Sequence, residues 1–329
     1  MSTALYVGLM SGTSMDGVDA VLCAFDGKRL ERILAAHSIT YPESLRAYLL
    51  HLQRDTPAIT LRDYADLDRQ VGEIFATTAI SLLKQHGVEH TQIVALGSHG
   101  QTVFHDPSGV RSSLQLGDPS LVAARTGITT VADFRRRDVA LGGQGAPLVP
   151  AFHHACFSTA AEARCVINIG GIANITILPD DQSAHVSGFD TGPGNGLMDE
   201  WATLHLGHPY DNQGAWAESA VVHPGLLEAL QSDGYFRQPP PKSTGRDRFN
   251  LDWARSRFQQ LDTLDPAIVQ RTFCELTALT IAAAVKTHAA DTQRILLCGG
   301  GVRNRFLVTQ LRERLGAMAV EPTDQHGLD

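Results

Sequence analysis

Short apolar blocks separated by polar turns dominate the first forty positions. Ala4 to Met10 is a near-continuous apolar run, the pattern of a buried strand, and Val18 to Phe25 repeats it. Asp26-Gly27 then predicts a hairpin turn into a third strand, Leu30 to Thr40. Pro42 ends that strand, and Ser44 to Gln53 has a helical pattern. Thr60 followed by Asp63 marks a helix start. Tyr64, Leu67, Val71, Ile74, Phe75, Thr78 and Leu82 then recur at helical spacing until Gly87 stops the run. Gln92 to Gly97 and Ile128 to Ala132 read as short buried strands.

The second half repeats the plan. Cys165 to Ile169 and Ile172 to Leu178 predict two strands around Gly170-Gly171. Asp180-Asp181 turns the chain into a third strand, Ala184 to Phe189. Asn195 to Leu206 predicts a helix and Ile268 to His288 a long amphipathic one. Arg294 to Cys298 is a strand that meets Gly299-Gly300-Gly301, and Arg305 to Leu315 is the helix beyond. The basic, glycine-rich connector Asp133 to Gly145 reads as a domain junction, which sets an amino-terminal domain at 1–132 and a carboxy-terminal one at 133–329. The halves echo each other in architecture without sequence identity.

Composition narrows the class. Of 329 residues, 43% are hydrophobic and 19% charged, a globular balance. The length exceeds what one core usually supports, which agrees with two domains. The formal charge of −8 argues against nucleic-acid partners, whose binding rests on phosphate neutralisation. Five cysteines, none in a C-x-x-C pair, read as reduced thiols. The amino terminus has no basic residue ahead of its apolar run, so it reads as a strand and not an export signal. Val139 to Ala161 is uncharged but holds Gly, Pro and His, and Arg271, Glu275 and Lys286 interrupt the run from Ile268 to His288, so neither reads as a membrane span. The expectation is a cytoplasmic protein without a membrane partner.

Three glycine turns and one acid carry the chemistry. The turn Met10 to Gly17 (Met10-Ser11-Gly12-Thr13-Ser14-Met15-Asp16-Gly17) joins two strands. Its small residues let backbone N–H groups converge on an anionic oxygen, usually phosphate; a plain hairpin loop is the alternative on this pattern alone. Gly170-Gly171 also joins two strands with no side chain at its tip, and two such turns can grip a polyphosphate from both sides. Gly299 to Gly301, ahead of Asn304 and a helix, lets a flat ring approach the backbone and sets phosphate near the positive helix end. Neither G-x-x-x-x-G-K-[ST] nor a strand–G-x-G-x-x-G–helix unit occurs. What remains is the actin-like and sugar-kinase way of holding ATP. The expected fold class is α/β, with two ribonuclease-H-like lobes around an interdomain cleft.

Asp190, read as the end of a strand before a Gly/Pro turn, is the candidate general base. A cap or turn aspartate is the alternative. Ser98-His99-Gly100-Gln101-Thr102 either lines a polar pocket or is a loop with a satisfied histidine. Asp133 to Asp138, with Arg135, Arg136 and Arg137, is a solvated cluster or a carboxylate clamp. His153-His154 are adjacent and make a poor metal pair. Lys242 to Arg246 reads as an exposed basic loop.

Taken in order, Gly8 to Gly17, Gly97 to Thr102, Ala132 to Asp138, Gly142 to Pro150, Phe189 to Asn195 and Pro241 to Phe249 resemble the anhydro-N-acetylmuramic acid kinase family, from Tyr6 to about Gly327. Met10 and Ser11 stand where the wider superfamily has an aspartate, and Asn168 replaces a second one; the family shares both departures. Its members continue past the position of Asp329 into a closing helix, so the resemblance implies that this chain lacks that helix.

The resemblance implies that ATP and water convert 1,6-anhydro-N-acetylmuramic acid to N-acetylmuramic acid 6-phosphate and ADP, in peptidoglycan recycling and amino-sugar catabolism. The internal C1–O6 bridge leaves no free 6-hydroxyl, so Asp190 would activate a water to attack C1, and the released O6 would take the γ-phosphoryl group. Gly12, Thr13, Ser14, Met15, Asp16, Gly17, Val18, Asp19, Gly170 and Gly171 would hold phosphates with Mg²⁺, Asp16 reaching the metal through water. Gly299, Gly300, Gly301 and Asn304 would border adenosine. Ser98, His99, Gly100, Gln101, Arg135, Arg136, Gly192 and Asn195 are the expected sugar contacts. The partners implied are the amino sugar and ATP, and association as a homodimer is left open. The alternatives are a kinase for an ordinary hexose or amino sugar, or a non-catalytic actin-like ATPase module.

Overall fold

The computed structural model describes residues 3–12, 15–27, 29–55, 57–181 and 183–328. They fall into two compact units, Met1–Gly145 and Ala146–Asp329.

In unit 1 the apolar blocks form the antiparallel strands β1 (Ala4–Ser11), β2 (Gly17–Asp26) and β3 (Arg29–Thr40). The strand β4 (Ile93–Asp106) runs parallel to β1, β5 (Ser112–Leu116) antiparallel to β4, and β6 (Thr130–Val131) parallel to β4. The sheet order is β3-β2-β1-β4-β5, with β6 also on β4. Among the described residues four α-helices accompany it: α1 (Glu43–Asp55), α2 (Leu61–Gln85), α3 (Pro119–Thr126) and α4 (Phe134–Ala140). Thr60 and Asp63 form the capping box that starts α2. That helix buries Leu67, Val71, Phe75 and Leu82 in one core with Val7, Leu9, Leu22 and Leu96.

Unit 2 repeats the topology. The strands β7 (Arg164–Ile169), β8 (Ile172–Leu178) and β9 (Ser187–Pro193) are antiparallel, and β10 (Arg294–Cys298) and β11 (Ala319–Pro322) add in parallel. The order β9-β8-β7-β10-β11 has the same succession of directions as β3-β2-β1-β4-β6, the ribonuclease-H-like arrangement. Among the described residues seven α-helices complete the unit: α5 (Pro150–Phe157), α6 (Gly196–Leu206), α7 (Ala215–Glu218), α8 (Pro224–Gln231), α9 (Leu251–Arg257), α10 (Pro266–His288) and α11 (Arg305–Leu315). By length and composition α10 could cross a bilayer, but it is the central core helix here, with Val269, Phe273, Leu276, Ile281 and Val285 fully buried. The buried Trp201 packs edge-on against Phe273 and donates its indole N–H to Pro266 O at 2.8 Å, which removes the cost of burying that donor.

Four expectations are corrected. The strand read as Gln92 to Gly97 continues to Asp106, with Gly100 at φ +75° just before the stretch that takes β5 as a third partner. The third strand of unit 2 runs to Pro193 instead of ending at Phe189; it is an edge strand, where a proline without an N–H is tolerated. Only Thr130–Val131 of the run Ile128 to Ala132 pairs as strand. The connector Asp133 to Gly145 contains the helix α4, and Asp138 Oδ2 accepts from Gly145 N at 2.7 Å, so it packs within unit 1.

A buried ion knot marks unit 2. Asp233, 1% exposed, accepts from Tyr235 N, Trp253 Nε1, Arg248 and Arg257 at 2.6–2.9 Å. Burial opposes its charge, but the Tyr235 amide, the Trp253 indole and the Arg248 guanidinium outweigh that and hold the carboxyl at about 2. Asp233→Ala is expected to cost about 3 kcal/mol in chemical denaturation, since it leaves the buried Trp253 indole N–H and Tyr235 amide without an acceptor and breaks two ion pairs. The folded value lies below the unfolded one of about 3.9. The contribution is therefore complete above about pH 4 and fades as pH falls toward 2, and the gap between wild type and variant should close over that window.

Candidate active site

Unit 1 holds the first glycine turn, between β1 and β2. Thr13 and Ser14 lie outside the described residues. Ser11 is buried, its hydroxyl 2.6 Å from both Gly17 O and Gln101 Oε1. The Gln101 amide donates to Gly12 O at 3.2 Å and Thr102 O at 3.3 Å. Gln101, expected at the sugar, is thus fully buried and committed to bracing the turn. Met15 is also fully buried, at φ +53°, and its N–H donates to Gly12 O at 3.2 Å. From α1, Arg46 Nε donates to Met15 O at 3.1 Å, and its Nη2 pairs with Asp16 at 2.9 Å. Gly17 is required by packing, since a Cβ there would stand 2.2 Å from Ile39 O. Val18 is in the core, and Asp19 accepts from Ser38 Oγ at 2.5 Å.

The same unit joins His99 to Arg135. The Arg135 Nε donates to His99 Nε2 at 2.8 Å, which leaves the proton on Nδ1, where it reaches Gly100 O at 2.8 Å. Burial, reinforced by the guanidinium, pushes His99 down to about 4, so the ring is neutral. Arg135 Nη1 also donates to Gly145 O at 2.6 Å. Arg136 instead pairs with Asp133 at 2.7 Å on an exposed side of α4. Ser98 is buried in β4.

Unit 2 brings several expected residues together. Gly194 N and Gly196 N donate to Gly171 O at 3.0 and 3.1 Å, and Asn195 N to Gly170 O at 2.7 Å. These bonds join the second glycine turn to the start of α6. The Asn195 side chain reaches Ile169 O at 3.4 Å. A Cβ at Gly299, φ +83°, would stand 2.4 Å from Asn168 Oδ1, and one at Gly301 would stand 2.3 Å from Ile169 Cγ2. The third glycine run therefore lies directly on the end of β7. Asn304 Oδ1 accepts from Leu307 N at 3.0 Å, so that side chain caps α11.

Asp190 sits inside β9, not at its end. The β8–β9 register slips beside it, with Asn174 opposite Asp190 and Ala173 opposite Gly192, a bulge of the kind that re-aims a side chain. The carboxylate is 5% exposed and accepts from Thr244 N at 2.9 Å. Its own N–H donates to Lys242 O at 3.2 Å, and its carbonyl accepts from Tyr235 Oη at 2.7 Å. Gly192, at φ +140°, leaves room for the Phe236 ring.

The segment Lys242 to Arg246 is not an exposed basic loop. Lys242 is buried; its Nζ donates to Tyr235 O at 3.1 Å and lies 4.7 Å from the Tyr235 ring centroid. Burial lowers its pKa. Periodicity carries no sign of this, because the segment has no regular structure; only the likeness of Pro241 to Phe249 to a family string marked it.

A fold built twice on one strand order, with glycine turns at matching hairpins and a buried aspartate on a bulge, defines the class: the sugar-kinase and actin-like proteins with two ribonuclease-H-like units. The family model described as anhydro-N-acetylmuramic acid kinase matches residues 4–329. The anhydro-N-acetylmuramic acid kinase of Xanthomonas campestris pv. campestris (strain 8004) is 48% identical over 328 residues, 99% of this chain and 86% of that protein. That of Xanthomonas axonopodis pv. citri (strain 306) is 48% identical over 332 residues, 100% of this chain and 88% of its own. The chain belongs to the anhydro-N-acetylmuramic acid kinase family. Among solved structures, component A of (R)-2-hydroxyglutaryl-CoA dehydratase from Acidaminococcus fermentans aligns with TM-score 0.47 at 10% identity, covering 98% of this chain and 93% of that one. The ROK hexokinase from Thermus thermophilus aligns with TM-score 0.38 at 16% identity, covering 98% and 95%. The family assignment does not rest on either.

Asp199, in the first turn of α6, is pushed up to about 7 by burial, against the pull of Arg246 and with the repulsion of Glu200 and Asp211. A raised folded value means stability that is full below the unfolded value of about 3.9 and is lost as pH rises through about 7. Asp199→Asn should therefore gain on the wild type between about pH 4 and 7 and hold a lead of about 1–2 kcal/mol above pH 8, discounted for partial solvent screening. Denaturant melts at four pH values check this; a constant difference contradicts it.

Proposed function

We propose that this chain uses ATP and water to open the 1,6-anhydro bridge of 1,6-anhydro-N-acetylmuramic acid and to phosphorylate O6, giving N-acetylmuramic acid 6-phosphate and ADP. Family membership across residues 4–329 supports the reaction. The observation that carries the mechanism is Asp190, a buried carboxylate on a bulge with one oxygen fixed by the Thr244 amide.

In this reading Asp190 takes a proton from water. The water oxygen bonds to C1 and the C1–O6 bond breaks. O6, instead of taking a proton from a second acid as in an inverting glycosidase, bonds to the γ-phosphorus, and the bond from phosphorus to ADP breaks. Gly170, Gly171 and Gly299 to Gly301 are assigned to the nucleotide, Gly12 and Met15 to Asp19 to its phosphates, and Asn195, beside the second glycine turn, to the sugar. Arg135, aligned by neutral His99, is assigned to the lactyl carboxylate, whose charge its guanidinium complements.

Magnesium fits as an ion carried by the triphosphate. Among the described residues no group of three or more His, Cys, Asp or Glu could form a resident site. Asp16 is solvent-exposed and could meet the ion's water shell while keeping its pairing to Arg46. When bound, the ion would offset phosphate charge. ATP as donor and five cysteines outside any disulfide fit a cytoplasmic place of action.

Asp190→Asn is expected to keep ATP affinity while turnover falls by at least roughly 10²-fold, the usual loss for a general base. In ¹⁸O-labelled water the product should carry the label on C1. Near-normal turnover, or label at any other position, would refute the assignment.

A further inference from the structure

We propose that Arg246 is a further catalytic residue, the cation that neutralises charge on the phosphoryl group in flight. The inference deepens the kinase reading above and rests on it only for the identity of the acceptor.

The second glycine turn presents no side chain of its own at its tip, and its carbonyls are already taken by the amides at the start of α6. Phosphoryl transfer is mostly positioning and charge neutralisation, so a site built around such a turn needs a cation from elsewhere. The chain has no P-loop lysine to supply one.

Arg246 is placed to do so. Its side chain crosses both glycines that the turn and α6 contribute. A Cβ at Gly171 would stand 3.1 Å from Arg246 Cδ, and one at Gly196 would stand 3.5 Å from Arg246 Nε. The absence of side chains at these two positions is what lets the guanidinium lie against the backbone. Its Nη2 donates to Glu200 Oε1 at 3.1 Å, and the other Glu200 oxygen accepts from Leu251 N at 3.3 Å. The anchor is therefore itself anchored. The side chain is a quarter exposed, and its other N–H groups meet no protein acceptor among the described residues. A planar fork with donors to spare, held at one corner, matches a tetrahedral or trigonal phosphoryl oxygen set better than an ammonium would.

The matching turn of unit 1 makes the contrast. There Arg46 gives its Nε to the turn's own Met15 carbonyl and its Nη2 to the turn's own Asp16. That arginine braces its turn. Among the described residues Arg246 makes no hydrogen bond to its turn, although its side chain lies against it, and its bonded donor goes to Glu200.

The test uses the full chain and two readouts. Calorimetry with Mg²⁺ measures binding of ADP alone and of ADP with tetrafluoroaluminate, a mimic of the transferring phosphoryl group that needs no sugar. Arg246→Gln should lose at least tenfold in affinity for the ADP–tetrafluoroaluminate pair, with ADP alone within about threefold of wild type. Arg246→Lys should lie between the two. Turnover on the anhydro sugar should fall by roughly 10²-fold or more in Arg246→Gln, the scale on which a single charge-stabilising donor acts. Thermal melts confirm the fold, and if Arg246→Gln melts early, Arg246→Lys carries the comparison. A purely structural arginine would weaken both ligands alike, and that result, or unchanged binding of both, overturns the proposal. If wild type leaves the anhydro sugar untouched while the two ligands separate as expected, the proposal stands and the assigned acceptor falls.

Discussion

Backbone touching backbone at the second glycine turn is the constraint on which unit 2 depends. A Cβ at Gly194 would stand 2.2 Å from Gly170 O, and those at Gly299 and Gly301 would collide with Asn168 and Ile169. Glycine at these places lets three chain segments share a space that side chains would fill. The turn, the start of α6 and the glycine run after β10 are thereby locked into one piece, through hydrogen bonds of 2.7–3.1 Å between the turn and α6. Rigid placement of this kind gives a site its precision without any side chain at the contact point.

The two units share a strand order but secure their turns by different means. Unit 1 uses side chains: Gln101 from β4 and Arg46 from α1 reach into the turn, and Ser11 closes the network. Unit 2 uses main-chain bonds, and its neighbouring arginine, Arg246, pairs with Glu200 on α6 instead of with the turn. The duplicated plan therefore does not imply duplicated roles.

The acid is coupled to the stability of its unit. Tyr235 donates its phenol to the Asp190 carbonyl, while its amide donates to the buried Asp233. Lys242 receives the Asp190 N–H on its carbonyl and donates its ammonium to the Tyr235 carbonyl. The ion knot and the candidate base thus share partners. A buried carboxylate holding several charge-assisted bonds rigidifies what surrounds it, and here what surrounds it includes the strand that presents Asp190.

Wherever periodicity and turn chemistry act locally, the sequence alone determined the structure. The first three strands of unit 1, the first two of unit 2, the Thr60 capping box, the long helix α10 and the strand–glycine–helix passage at Gly299 follow from the order of residues, because each depends on neighbours a few positions away. The family was legible for the same reason, in contiguous strings. Tertiary structure decided what distant segments do to one another. Gln101 reads as a loop residue until β4 continues past Gly100 and carries its amide to Gly12, some ninety positions earlier in the chain. Asp190 reads as a strand end until Asn174 pairs with it, and Lys242 to Arg246 reads as a solvated loop until Tyr235, Glu200 and Asp190 enclose it. Sequence pattern records which face a residue prefers; only packing fixes which far-off donor meets its acceptor.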